Sequence, residues 1–519
     1  MTETAPAPAA RAPAYAWYVL AILFFVYVLN FVDRQIISIL AEDIKRDLNL
    51  RDEDLGFLYG TAFGVFYALF GIPLGRLADN WHRVRLMTLG LALWSTMTAL
   101  SGMARNGMTL AAARIGVGVG EATASPAAYS LISDWFPRRL RATALAIYSA
   151  GLYVGGGLSL GIGGLVVRNW NKAYPDGGPF GLAGWQAAFL IVGIPGLILA
   201  AVVATMREPS RGQSEGLPPP DRHPAPFSAF LQELVTIVPP LTLIGAMRGG
   251  ARALIFNLIG LAVVVGAVVL LISFGEPAPQ WIAVGIGVYA VFSWASALRR
   301  RDAPTFALIV ANPAFLATVV AYGLNAFLAY TVSFWAAPFA IRVLGASPAE
   351  AGFVIGGMGA AAGFMGVTLG GLAADRLRRR YAAGRLMVVL FGAIMPVPAV
   401  AMAFSATSLS GFYLPLFVAQ VLGSSALAAA AATTQDLVLP RMRGTATGTF
   451  FIGTTLLGLA LGPYLAGRVS TLTGSLSTGV LSMLVTVPVT IIAGIIAFRT
   501  VPAAEAGREA RARAFGEPT

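Results

Sequence analysis

Cysteine is absent from the 519 residues, which excludes disulfides, thiolate metal sites and cysteine nucleophiles. Charge is nearly as scarce. Asp, Glu, Lys and Arg together make up 12% of the chain, against about a quarter in a soluble domain whose surface must face water. Histidine occurs twice, at His82 and His223, and lysine twice, at Lys45 and Lys172. No cluster of ligating residues has metal-site spacing, so no metal and no cofactor are expected. A Gly-x-x-x-x-Gly-Lys-Ser/Thr phosphate loop is also missing, which leaves ATP out as an energy source from this chain.

What is abundant is apolar sequence, 57% of the chain, with a mean hydropathy of +0.74. Several stretches run 18 residues or longer without a charge, enough to cross a hydrocarbon core of about 30 Å. Runs such as Leu258 to Ile272 do not alternate apolar and polar residues, so a transmembrane β-barrel is excluded. The reading is an all-α, polytopic membrane protein. Six runs lie between Trp17 and Met206 and six between Pro313 and Phe498. Between these halves, Leu254 to Phe274 and Trp281 to Leu298 form an extra hairpin around Gly275-Glu276-Pro277, making about 14 helices. The expected divisions are a disordered Ala/Pro-rich tail (1–15), a first bundle (16–206), a cytoplasmic linker (207–252), the hairpin (253–298), a second bundle (299–500) and a cytoplasmic tail (501–519). The first run is too long for a secretory signal and lacks its cleavage pattern, so it is read as an anchor that stays.

The net charge of +12 and the pI near 10.2 would suggest nucleic acid in a soluble protein, but the placement of the charges rejects it. On these segments 26 of the 36 Lys+Arg fall on one side, 8 on the other and 2 within the membrane, while the 24 Asp+Glu divide 13, 9 and 2. That is the positive-inside pattern. It puts both termini in the cytoplasm. The expected location is the cell membrane, a bacterial inner membrane.

The halves repeat each other. Gly75-x-x-x-Asp79 followed by Arg83 and Arg85 recurs as Gly371-x-x-x-Asp375 followed by Arg376, Arg379 and Arg380. Arg139-Leu-Arg141-Ala-Thr143-Ala144 recurs 302 residues later as Arg441-Met-Arg443-Gly-Thr445-Ala446, and Asp134, Gly151 and Gly156 map to Asp436, Gly453 and Gly458 at the same offset. Internal duplication points to a transporter rather than a receptor or an intramembrane enzyme.

The duplicated Gly-x-x-x-Asp segment resembles motif A of the major facilitator superfamily, departing from it at Asn80 and His82. Asn30-Phe-Val-Asp33-Arg34, Arg114-Ile-Gly-Val-Gly118-Val-Gly120-Glu121-Ala122, and the stretch from Arg443 to Pro463 are similar to the spinster family of lysolipid and sphingolipid transporters. Much the same signatures occur in organic anion transporters of the superfamily. The resemblance implies two six-helix bundles of inverted repeats with a cavity between them; it does not extend over the hairpin.

Four ionisable residues fall inside apolar runs: Asp33, Arg34, Arg114 and Glu121. Such groups are costly in a bilayer and usually line a functional cavity. At 1.5 Å per residue, Asp33 and Arg114 come to similar depths, with Glu121 about 10 Å deeper on the face of Arg114. Asp33 and Glu121 are read as proton-coupling carboxyls, and Arg114 and Arg34 as head-group ligands or charge relays. The plainer alternative is a static ion network between the first and fourth runs. The second half has no counterpart: Arg114 maps to Leu416 and Glu121 to Gly423. One charged wall facing an apolar one suits a substrate with a charged head and a hydrocarbon body. Asn30, Tyr59, Phe63, Tyr67, Tyr153, Tyr322, Asn325, Tyr330 and Phe334 are the candidate lining residues.

A gate is expected on the cytoplasmic side. Asp79 would sit against the helix opening after Arg441 and Arg443, and Asp375 against the one opening after Arg139 and Arg141, each stabilised by a helix N-terminus; Arg83, Arg85 and Arg376 complete the set. Gly157-x-Ser159-x-Gly161 has the hydrolase pattern, but it lies mid-helix without a nearby His and is read as helix packing. The expectation is proton-coupled alternating access by a monomer carrying an amphipathic lipid, with the bilayer as its other partner and no nucleic acid. The alternatives are a proton-coupled organic anion transporter and a non-transporting sensor or scaffold.

Overall fold

The computed structural model describes residues 12–175, 177–215 and 225–517. Most of the expected N-terminal tail, His223 and part of the expected linker lie outside the described residues. Every regular element among those described is helical.

The first bundle contains α1 (Ala14–Asp47), α2 (Asp52–Asn80), α3 (Arg83–Ser101), α4 (Gly107–Glu121), α5 (Ala124–Trp135), α6 (Arg138–Ala173) and α7 (Gly184–Ala204). The segment between the bundles forms α8 (Pro226–Ile237), α9 (Leu241–Arg248), α10 (Ala251–Ser273) and α11 (Ala278–Arg301). The second bundle is α12 (Pro313–Arg342), α13 (Pro348–Arg380), α14 (Gly384–Phe404), α15 (Leu409–Asp436), α16 (Pro440–Thr473) and α17 (Leu476–Ala506), and α18 (Arg508–Ala514) follows. Twelve of these are long and apolar enough to cross a membrane, or thirteen if the bent pair α8/α9 counts as one span. The expected figure of about 14 also counts α3, which carries Arg83 and Arg85, and the fourth run, which the structure divides into α4 and α5.

Local chemistry explains these boundaries. The Asn312 and Ser347 side chains accept N–H bonds at the starts of α12 and α13, where Pro313 and Pro348 occupy the first helical position. That position needs no N–H donor. Pro126 has no N–H to offer the carbonyl four residues back, and the fourth run breaks there, so that Glu121 ends α4. Both α2 and α16 contain a π-turn, at Phe57–Thr61 and Thr454–Leu459. These turns meet: the Thr61 hydroxyl donates to the Ala460 carbonyl at 2.6 Å.

Glycine brings the bundles into contact. A Cβ at Gly157 of α6 would stand 2.7 Å from the Gly356 carbonyl oxygen of α13, and one at Gly60 of α2 would stand 2.2 Å from the Leu459 oxygen of α16. Small residues at such crossings let helices approach closely where no hydrophobic effect drives association. The Gly157-x-Ser159-x-Gly161 pattern is therefore packing, and Ser159 donates to the Val32 carbonyl at 2.8 Å.

Part of the expected linker is structured, as α8 and α9, bent by 99° relative to each other. Beyond it α11 packs on α2 and α16, with Gly287 against Val65 and Leu456, while α10 lies outside, one side against α11 where Gly260 meets Phe292 and the rest exposed. By chain order Arg83, Arg139, Arg301, Arg376 and Arg441 share one face of the molecule, called here the arginine face.

Candidate functional site

A cavity of about 1430 Å³ lies between the bundles, and its wall runs out to Arg76, Asp79, Arg301, Asp302 and Arg441. It opens on the arginine face. The opposite end is closed by two ion clusters. Arg342 of α12 binds Glu42 of α1 at 2.7 Å and Asp52 of α2 at 2.7 and 2.8 Å; Asp52 also accepts from Lys45 and Ser470, each at 2.6 Å. Arg468 of α16 binds Glu53 at 2.8 Å and Glu276, at the hairpin tip, at 3.3 Å. Below these clusters Ser38 donates to the Phe334 carbonyl at 2.6 Å, Gln35 to Ser333 at 3.2 Å, and the Tyr59 ring stacks on Phe334.

The four intramembrane charges come together, in a pairing different from the one depth alone suggests. Arg34 reaches the cavity wall and donates to Glu121 at 2.8 Å. Its guanidinium lies over three rings, Phe31, Phe63 and Tyr67, at 4.8, 4.6 and 4.9 Å. Arg114 is sealed behind it, over Phe63 at 5.4 Å, and donates to the backbone carbonyl of Asp33 at 3.2 Å. Asp33 and Glu121 are 1% exposed and Arg114 is 0% exposed, so only Arg34 can meet a ligand directly. Besides Arg34, Glu121 faces Asn30 and Arg114, and Asp33 faces Thr98, Trp94 and Arg114, none of them in a close hydrogen bond to Asp33 or to Glu121 Oε1. Buried polar groups left without partners cost free energy.

Of the candidate lining residues, Asn30, Tyr67, Tyr153, Tyr322, Asn325 and Tyr330 are on the cavity wall. Tyr59, Phe63 and Phe334 are fully buried behind it, Phe63 as the ring beneath both arginines. Sequence reading missed Tyr27, Gln35 and Tyr129, all on the wall. A polar residue in an apolar run was the available signal for Gln35, as it was for Gln420, which the sequence places among the interior polar groups of the second half and which is on the wall as well. The second-half wall is uncharged in its depth. Its polar members include Tyr322, Asn325, Tyr330 and Gln420, set among apolar ones such as Ile355, Val400 and Leu427, with charge only at the mouth.

At the arginine face Asp79 is exposed at the cavity mouth, and Arg85, Arg139, Arg376 and Arg443 are exposed. Arg441 is held by Asp302 at 2.9 Å and by Glu517 at 2.6 Å. Arg141 donates to the Ser133 carbonyl and Ser214. Arg83 is buried, bonded to Asp134 and, at 2.7 Å, to Glu208. Its counterpart is Arg385, bonded to Asp436 and, at 3.4 Å, to Asp375. Outside the membrane spans, the Asp302 carboxyl sits below the ordinary carboxylate range: burial pushes it up, but the bonds from Arg441 and Thr305 outweigh burial.

A family model described as Major Facilitator Superfamily matches residues 23–463. A Mycolicibacterium smegmatis protein described as an MFS-type efflux pump is 28% identical over 458 residues, covering 88% of this chain and 85% of its own length. A probable galactarate/D-glucarate transporter of Escherichia coli (strain K12) is 29% identical over 192 residues, covering 36% of this chain and 40% of its own. In the second case the chain spans well under half of the relative. Among solved structures, a bacterial homolog of the human lysosomal transporter Spinster, described as inward-facing and unoccupied, superposes with a TM-score of 0.67 at 25% identity, covering 98% of this chain and 100% of that one. The relatives are transporters rather than enzymes.

Proposed function

Because the chain belongs to the major facilitator superfamily, we propose that it is a proton-coupled secondary transporter, and that it carries a single-chain amphiphile with an anionic head group by alternating access. The observation that carries this reading is Arg34, a cation at the cavity wall whose guanidinium is the closest partner of the buried Glu121 carboxylate, at 2.8 Å. With the arginine face cytoplasmic, as the positive-inside rule places it, the structure is open to the inside.

Coupling follows from competition. An anionic head group arriving at Arg34 takes the donors that Glu121 uses. Glu121 is then a carboxylate without its cation in a dry interior, and taking up a proton is the cheapest relief. Asp33 stands behind with two unpartnered oxygens beside Arg114, so Arg114 can turn toward Asp33 when that carboxyl loses its proton and back to the backbone when it gains one. Arg34 itself is held in place by three ring faces, an arrangement that stabilises a cation by about 0.5–2 kcal/mol per good contact.

The uncharged second-half wall supports an amphiphile over a sugar dianion. A dianion bound at mid-membrane would need cations on both walls, and the second half offers tyrosine, asparagine and glutamine. The sugar-acid reading keeps the support of several relatives so described, the galactarate/D-glucarate transporter among them. Reconstitution separates the two: a pH gradient should drive a fluorescent lysophospholipid but not galactarate, and lipid extracted from the purified protein should contain single-chain species. Gradient-driven galactarate flux without bound lipid would establish the alternative, and no flux of any candidate would favour a sensor or scaffold.

A further inference from the structure

Two bundles that open a cavity on one face leave two seams toward the bilayer, α2 against α16 and α6 against α13. The inserted segment lies over the first. Ile237 of α8 and Ala290, Trp294 and Leu298 of α11 pack with Val65 and Leu69 of α2 and with Ala460 of α16. Trp294 and Leu298 also form part of the cavity wall, as do Gln232 and Glu233 of α8, and Arg301 pins α8 to α11 through Glu233 at 2.8 and 3.3 Å. At this seam the wall of the cavity is the insertion.

The second seam has no such cover. α6 and α13 touch from Gly164 against Pro348, through Gly157 against Gly356, to Tyr153 against Gly363. Nearer the arginine face α13 turns to its own bundle, where Gly366, Gly370 and Gly371 abut Val421, Ser425 and Ala428 of α15. Ser149, Leu152 and Val367 face the cavity at that level, and Ile147, Phe364 and Leu369 are exposed on the flanks. Apart from Ser149, the side chains named on this path from the outer surface to the interior are apolar.

We propose that the insertion seals the α2/α16 seam and so confines exchange of a single-chain amphiphile with the bilayer to the slot between α6 and α13, below Tyr153 and Gly363. This rests on the amphiphile reading. The head group would travel in the water-filled mouth while the hydrocarbon chain passes Leu152 and Val367. A sugar acid has no use for such a slot.

The test compares two fluorescent lysophospholipids in proteoliposomes, a long-chain form that resides in the bilayer and a short-chain form that stays in water. Transport of both by the unmodified protein tests the amphiphile reading, and transport of neither would remove it together with this proposal. Val367→Trp fills the slot and leaves the aqueous mouth open. It should lower the rate of the long-chain probe relative to that of the short-chain probe by roughly tenfold or more, and Leu152→Trp should do the same from the other side. Ile72→Trp, on the sealed seam, should affect both probes alike. Equal effects of the slot variants on the two probes, or a long-chain-selective loss in Ile72→Trp, would overturn the proposal. Elution profile and unfolding temperature identify any variant that fails to fold, and the two slot variants serve as replacements for each other.

Discussion

Arg34 Nη2 lies 2.8 Å from Glu121 Oε2, joining α1 to the last residue of α4 at the wall of the cavity. The break after Glu121 and the glycines before it make the contact possible. A Cβ at Gly118 would stand 2.5 Å from the Phe63 carbonyl oxygen and one at Gly120 would stand 2.8 Å from the Trp94 nitrogen, so only glycine lets α4 press this close to α2 and α3. If Glu121 exchanges the proton, Glu121→Gln should leave the fold intact, retain substrate exchange between equal pools and abolish uptake driven by a pH gradient. Gradient-driven uptake at the unmodified level would end its role in coupling.

Arg34→Lys tests the head-group role separately. An ammonium keeps the charge but loses the planar stacking on three rings and the fork toward a carboxylate or phosphate. Affinity should fall by roughly tenfold, about 1.4 kcal/mol, with the pH dependence of transport retained. Arg114 never reaches the cavity, so Arg114→Lys should instead alter the pH dependence and leave affinity nearly unchanged. Binding titrations at several pH values distinguish these outcomes.

Why the sequence revealed the charges but not their pairing is a matter of geometry. Asp33, Arg34, Arg114 and Glu121 stand out because ionisable groups are rare in apolar runs, and rise per residue places them in depth. It does not place them around the axis of a packed helix. Arg34, one residue or about 100° from Asp33, turns out to hold the cavity position, with Arg114 behind it. The duplicated motif misleads in a similar way. Arg83 has its counterpart at Arg385, 302 residues on, whereas Asp79 and Asp375 differ by 296; six extra residues between them bring Arg379 and Arg380 forward as nearer matches. Apart from Lys45 with Asp52, seven residues apart, the clusters opposite the arginine face join residues 192 to 418 apart, such as Asp52 with Arg342 and Glu53 with Arg468, and no local spacing announces these. Helix positions, by contrast, follow from apolar length and from proline and glycine, which act locally.

Asp52 accepts from Arg342, Lys45 and Ser470 at once, which makes it the centre of the closed end. Hydrogen bonds to a charged group contribute about 1.5–3 kcal/mol each. Asp52→Asn should shift the protein toward the state open opposite the arginine face. Spin labels on cysteines introduced at the ends of α1 and α12 would report this directly, since the chain has no native thiol. Glu276→Gln should act in the same direction more weakly, because Arg468 keeps Glu53. Unchanged distances in both variants would mean that the closed end is held by helix packing alone.

The final prediction concerns the open end, where two partners contend for Arg441. In this structure Asp302 and Glu517 hold it; in a state closed on the arginine face, the N-terminus of α16 and its arginines would face Asp79 instead. The Asp302 carboxyl is held below its ordinary value because the bonds from Arg441 and Thr305 outweigh burial. A depressed value means that the contribution is fully present above the unperturbed value of about 3.9 and is lost only as pH falls through the lowered one. Between about pH 5 and 8 this latch should therefore be constant, and pH dependence of conformation in that window comes from other groups: the intramembrane carboxyls, or histidine, His82 standing 3.1 Å from Glu208 on this face. Within that window substitution, rather than pH, should release it. Asp302→Asn should move the spin-label distance between the arginine-face ends of α2 and α16 toward the closed value. Asp79→Asn and Asp375→Asn should move it toward the open one. Variants on the two sides of Arg441 thus carry opposite signs, a pattern that general loss of stability does not produce. Shifts of the same sign in Asp302→Asn and Asp79→Asn would show that Arg441 is not the contested group.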